Sequence, residues 1–247
     1  MFRNIVYSAF GAALVIGIGI SVLQSLTTGP LILHAEEFEG GATHDHAATP
    51  AAEAPSGWMA AHAQDAPAAV DDAAAEEDEW GPADGAERTF YTVLANLVIG
   101  FGVSLMLLGL MILKGDPIDA RAGLIWGVAA FFAVSLLPSL GLPPELPGTP
   151  AAEIASRQMW WIATAIASAG GIALIAFGRQ WWWLLAGAAL ILVPHLVGAP
   201  QPDSHDVPYP GGLAGQFVAA SLVVSAALWT LAGAGSAWLY QRLTASG

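Results

Sequence analysis

Six stretches of this chain, 5–26, 90–113, 122–140, 159–177, 181–197 and 213–240, are apolar and contain no lysine, arginine, aspartate or glutamate. In hydrocarbon no water satisfies a backbone N–H or C=O, so apolar runs of this length must be helices that close their own hydrogen bonds. About 20 residues cross a bilayer core, and shorter runs suit a thin or locally distorted bilayer. The expected fold is therefore an all-α integral membrane protein with six transmembrane helices. Composition agrees: only 11% of the residues are charged, where a soluble domain carries about 25%. The expected division is a first transmembrane helix within residues 1–33, a polar segment over 34–87, and a five-helix membrane domain over 88–247. Arg3 ahead of an apolar run resembles a secretory signal. The run from 5 to 23 is longer than a signal core and no small-x-small site closely follows it, so an uncleaved anchor is expected.

Orientation follows from lysine and arginine near the helix ends. With the N-terminus in the cytoplasm, Arg3, Lys114, Arg121, Arg179 and Arg242 fall inside, while Arg88 and Arg157 fall outside. Both termini are then cytoplasmic. The same assignment puts every histidine, and every acid except Asp116 and Asp119, on the outer side or its edge. Those residues took no part in the charge rule, so their segregation is a separate observation.

The polar segment holds four of the six histidines, and it ends in an acid run that includes Asp71, Asp72, Glu76, Glu77, Asp78 and Glu79. Imidazole and carboxylate bind borderline divalent metals, and a segment so rich in alanine, acid and proline has little with which to build a core. It is expected to be a long disordered outer loop that gathers cations, with His44, His46 and His62 as loose secondary metal-gathering residues. The net charge of −13 is concentrated there, which favours a cation as partner and disfavours nucleic acid. Without cysteine, any transition-metal site must use nitrogen and oxygen donors.

Four constellations could carry chemistry. In PLILHAEEFE, directly after the first stretch, His34 pairs with Glu37 and Glu36 with Glu39 three residues apart if the helix continues past Pro30. His34, Glu36 and Glu39 are candidate ligands, against the alternative of a solvated acidic helix end. In VPHLVGAP, Pro194 frees a carbonyl one turn earlier and Gly198 ends the helix, placing His195 beside irregular backbone at the membrane edge. His195 is either a ligand or an interfacial histidine bonded to a carbonyl; His205 follows between Asp203 and Asp206. In LGLPPELPG, prolines hold a stiff non-helical segment that presents Glu145, or simply form an outer turn. Inside the spans the polar groups are amides and hydroxyls, which usually bond helix to helix. Gln24 and Asn96 are the two candidates for lining a path. The tryptophans at 160–161 and 181–183 read as aromatic belts at the headgroups.

Taken in order, PLILHAEEFE, GLPPELPG, RQMWW and PHLVGAP resemble the CbtA-type cobalt transporter subunits of bacteria. The resemblance covers most of the membrane portion. It implies a multi-pass protein of the bacterial inner membrane, uptake of Co2+ as the transported ion linked to cobalamin biosynthesis, and a small single-span, histidine-bearing partner subunit of the CbtB type, with a homo-oligomer as a further arrangement. It marks Glu36, Glu39, Glu145, Arg157, Gln158 and His195 as members of family motifs without saying which touches metal. The family is often described with five spans, where six are counted here.

Other classes fare worse. The only lysine is Lys114, so there is no phosphate-binding GxxxxGK[ST] loop and no ATP site of that kind. No HExxH or GxSxG appears and no span buries a carboxylate, which argues against an enzyme. Nickel in place of cobalt stays open, since both accept imidazole and oxygen donors. So does a metal-binding sensor or assembly subunit without transport.

Overall fold

The computed structural model describes residues 2–44, 82–83 and 85–245. All regular structure among them is helical: α1 Phe2–Leu26, α2 Thr28–His44, α3 Ala86–Lys114, α4 Ala120–Ser139, α5 Ile154–Phe177, α6 Trp182–Val197 and α7 Gly211–Ala245. Five of these, α1, α3, α4, α5 and α7, are long and apolar enough to cross a membrane, while α6 is a shorter apolar helix of 16 residues. At 1.5 Å per residue α6 is ~24 Å long, short of a ~30 Å hydrocarbon core.

One expected boundary moves. The polar loop expected from residue 34 does not begin there, because α2 continues as helix to His44. The chain breaks only at Thr27 and resumes at Thr28, two residues before Pro30. Proline has no N–H to give the preceding turn, so a helix tolerates it in its first turn and not in its interior. His46, His62 and the acid run of 71–79 lie outside the described residues.

Small residues set the helix pairs. Gly17 of α1 packs on Leu97 of α3, and Gly100 of α3 on Ile16. Gly123 and Gly127 of α4 lie directly on the backbone of Gly233 and Trp229 of α7. A Cβ on Gly171 of α5 or Gly187 of α6 would stand 2.6 Å from the other's carbonyl oxygen. In lipid, helices associate by such close approach, because burying apolar side chains gains little against an apolar solvent. A core of Ile16, Ile20, Leu107, Leu108 and Trp229 joins α1, α3 and α7.

The pairs are antiparallel, and the bundle has two distinct ends. At one, the Asn4 amide donates to the Leu243 carbonyl at 3.3 Å, tying the start of α1 to the end of α7. Lys114 lies over the Phe177 ring at 5.2 Å on the same end. Arg3, Lys114, Arg121, Arg179 and Arg242 all belong to this basic end. At the other lie α2, the 140–153 loop, the 198–210 loop and the starts of α3, α5 and α7. There Ala35 of α2 is buried with Leu146, Tyr209, Leu213 and Phe217. The second end carries Glu36, Glu145, His195 and His205.

α4 is not uniform. Residues 131–136 form a π turn, in which the Leu137 N–H reaches back to the Phe132 carbonyl. The wide turn directly precedes Pro138, which has no N–H to continue the ladder.

Candidate functional site

The second end is built from loop and helix starts. Prolines 143, 144 and 147 keep the loop after α4 out of helix, and Leu146 is buried at 3% exposure, anchoring it. Glu145 therefore stands on a fixed segment, half-buried. Its Oε2 accepts from Arg157 Nη2 at 2.5 Å. Arg157 lies in the first turn of α5, which Glu153 caps by accepting from the N–H groups of Ala155 and Ser156 at 2.9 and 2.8 Å. Those backbone bonds, that of Ser156 first, hold the Glu153 carboxyl below its ordinary pKa.

A cavity of about 230 Å³ opens between the two loops, lined among others by Glu145, Arg157, Thr149, Tyr209 and His205. Thr149 and Tyr209 hydrogen-bond hydroxyl to hydroxyl across it. Two of the candidate ligands, Glu145 and His205, thus share one pocket. His205 is exposed on its rim, and Tyr209 is buried at 4%.

The remaining candidates are placed apart. Glu36 faces Arg88 at the start of α3 through two hydrogen bonds, Nη2 to Oε1 at 2.6 Å and Nη1 to Oε2 at 3.2 Å. Such a fork is the stronger geometry for an ion pair, although exposure of more than a third on both sides limits its worth. His34 is exposed one turn before Phe38, against whose ring it lies at 5.5 Å. Glu39 and His44 belong to α2 as backbone.

His195 lies between two carbonyls. Its Nδ1 lies 3.0 Å from the Ile191 carbonyl and its Nε2 3.0 Å from the Leu137 carbonyl, just past the π turn of α4. A neutral imidazole can donate to only one of these at a time. Metal ligation by this ring requires one of the two contacts to open. Trp160 meets the His195 ring edge-on at 5.9 Å and donates Nε1–H to the Pro194 carbonyl at 3.2 Å. Trp160 is therefore buried, at 9% exposure, and is not part of a headgroup belt. Among the described residues no three histidine, aspartate or glutamate side chains come together as a metal cluster.

Gln24 and Asn96, far apart in sequence, are brought together. Asn96, buried between α1 and α3, donates Nδ2–H to Gln24 Oε1 at 2.6 Å and to Ser21 Oγ at 2.9 Å.

Nothing along the sequence marks Arg88 as a carboxylate partner, nor Thr149 and Tyr209 as a pair. The one signal available was that Arg88 and Arg157 are the only basic residues expected on the side that collects the acids.

No curated protein and no solved structure matches this chain at a significant level. The family of probable cobalt transporter subunits, CbtA, does match, over residues 2–241. Apolar helices long enough to span a bilayer and a family match over nearly the whole chain lead to one conclusion: this is a membrane protein that belongs to the CbtA family of probable cobalt transporter subunits.

Proposed function

We propose that this chain takes up divalent cobalt, capturing it at the end that carries the Glu145 and His205 cavity and releasing it at the basic end. The observation that carries this reading is the shared pocket: a carboxylate and an imidazole from two separate loops line one cavity, a donor pair suited to Co2+ or Ni2+. Among the described residues no third histidine, aspartate or glutamate joins them, an arrangement suited to an ion that keeps waters and is passed on. Glu36 and its arginine sit on the same end as a second carboxylate near the approach. Glu39, His34 and the 45–81 segment raise the local cation concentration, within a Debye length of ~8 Å.

The reading includes six passes with both termini in the cytoplasm. The contact between Asn4 and the Leu243 carbonyl supports it, since neighbouring termini require an even number of crossings. So does α6, which lies antiparallel to α5 from the Gly171 and Gly187 contact to the Trp160 and Pro194 bond. In this orientation the bacterial inner-membrane potential drives the ion inward: a divalent charge gains ~4.6 kcal/mol per 100 mV, about three powers of ten in concentration. No ATP site is invoked. A small single-span, histidine-bearing subunit of the CbtB type is the proposed partner, and a second copy of this chain another. Gln24 and Asn96 line the path only if their mutual hydrogen bond opens, and otherwise join α1 to α3.

Radioactive cobalt uptake into proteoliposomes with an imposed inside-negative potential tests this. Potential-dependent accumulation is expected, and Glu145→Gln with His205→Ala should raise the half-saturating concentration at unchanged protein content. Binding without accumulation selects a sensor or assembly subunit instead, and faster uptake of nickel reassigns the ion.

A further inference from the structure

At the basic end, away from the capture cavity, a groove of about 470 Å³ runs between α3 and α5 with α4 as its floor. It extends from Lys114 and Phe177 at the mouth to Met106 and Ala169 at its inner limit. Each wall therefore covers 9 residues, from 106 to 114 and from 169 to 177, an end-to-end rise of ~12 Å of helix. That is most of the ~15 Å occupied by one leaflet's hydrocarbon. Alanines on α4 and α5 keep the groove open where larger side chains would close it, and Trp126 lines its floor.

The mouth is charged. Lys114 is spent on Asp116 and on the face of Phe177, and Asp119 is spent on capping α4 through the Ala122 N–H at 2.7 Å. Arg121, which precedes the groove-lining Ala122, and Arg179, two residues past the groove-lining Phe177, are both exposed. Neither has a carboxylate partner among the described residues.

We propose that this groove is a binding site for one anionic phospholipid, with an acyl chain between α3 and α5 and the headgroup phosphate between Arg121 and Arg179. The match is in both length and charge. An apolar slot one leaflet deep takes a chain that enters from the headgroup level, and two unpaired guanidiniums at that level favour phosphate with negative charge. A transmembrane segment of another protein would fill the slot with side chains but would leave both arginines facing lipid headgroups without a specific partner. The site is independent of the transport reading.

Brominated acyl chains quench tryptophan on contact, so Trp126 reports occupancy. The full chain is reconstituted in nanodiscs of phosphatidylcholine with increasing fractions of brominated phosphatidylglycerol, or of brominated phosphatidylcholine, and the Trp126 contribution is taken as the difference from Trp126→Phe. Saturable quenching at a low fraction of phosphatidylglycerol is expected, with a many-fold higher fraction needed for the neutral lipid. Arg121→Gln and Arg179→Gln should each weaken the preference about fivefold, and Ala173→Leu should abolish quenching while leaving the arginines in place. Equal quenching by the two lipids would overturn headgroup recognition. Absence of Trp126 quenching in a folded sample would overturn the site altogether, and a crosslink from position 173 to another polypeptide in native membranes would assign the slot to a protein partner.

Discussion

Arg157 occupies, in effect, the place of a cation on Glu145. Its guanidinium is tethered to α5 and lies 2.5 Å from Oε2 of the carboxylate, so a divalent ion that binds that oxygen, or both oxygens, must displace it. Opposite effects of the two halves of the pair follow. Arg157→Gln should lower the half-saturating cobalt concentration and Glu145→Gln should raise it, each by roughly two- to fivefold, the range of a partly exposed ion pair. Cobalt titration of the purified variants checks this. Shifts in the same direction would reduce the pair to a structural clamp. The pairing was not visible along the chain: the residues are 12 apart across a proline-rich loop, and only the buried anchor Leu146 turns Glu145 back on the start of α5. Glu36 and Arg88 are 52 apart, and their fork depends on the packing that brings α2 within side-chain reach of the start of α3.

At the level of single helices, α5 and α4 allow the sharpest tests. Glu153 caps α5 with its carboxyl held below the ordinary 4.5 by backbone N–H bonds. A group with a depressed folded pKa contributes stability that is present above its unfolded pKa and is lost as pH falls through the folded one. The first turn of α5 should therefore fray below about pH 4.5, read as faster amide exchange at Ala155 and Ser156, and Glu153→Gln should remove that pH dependence. Along α4, Gly127 rests on the Trp229 backbone, where no flexible side chain can yield. Gly127→Leu is expected to separate α4 from α7 and to cost about 1–3 kcal/mol or more, measured as loss of monodisperse protein and a lower midpoint in a detergent unfolding series. Gly109, which has open space around it, serves as the control: Gly109→Ala should be tolerated. His195 belongs to this level as well. Its Nε2 lies 3.0 Å from the Leu137 carbonyl, which sets this ring of α6 against the last turn of α4, while Nδ1 faces the Ile191 carbonyl of its own helix.

For the molecule as a whole, the proposed six passes are tested through the parity of crossings. Reporters fused after Gly247 and ahead of Phe2 should both score as cytoplasmic; reporters on opposite sides would mean that α6 does not cross and that the direction of uptake argued above has no support. The helical class and the extent of the apolar segments were legible along the chain. Hydrocarbon permits few conformations, and hydropathy and charge are local properties of the sequence. The bond between Gln24 and Asn96, the burial of Trp160 and the division of the candidate ligands between a shared cavity and a separate arginine pair were decided only when the helices packed. Each is a contact between residues distant in sequence, and which side chains meet depends on where small residues let two backbones approach.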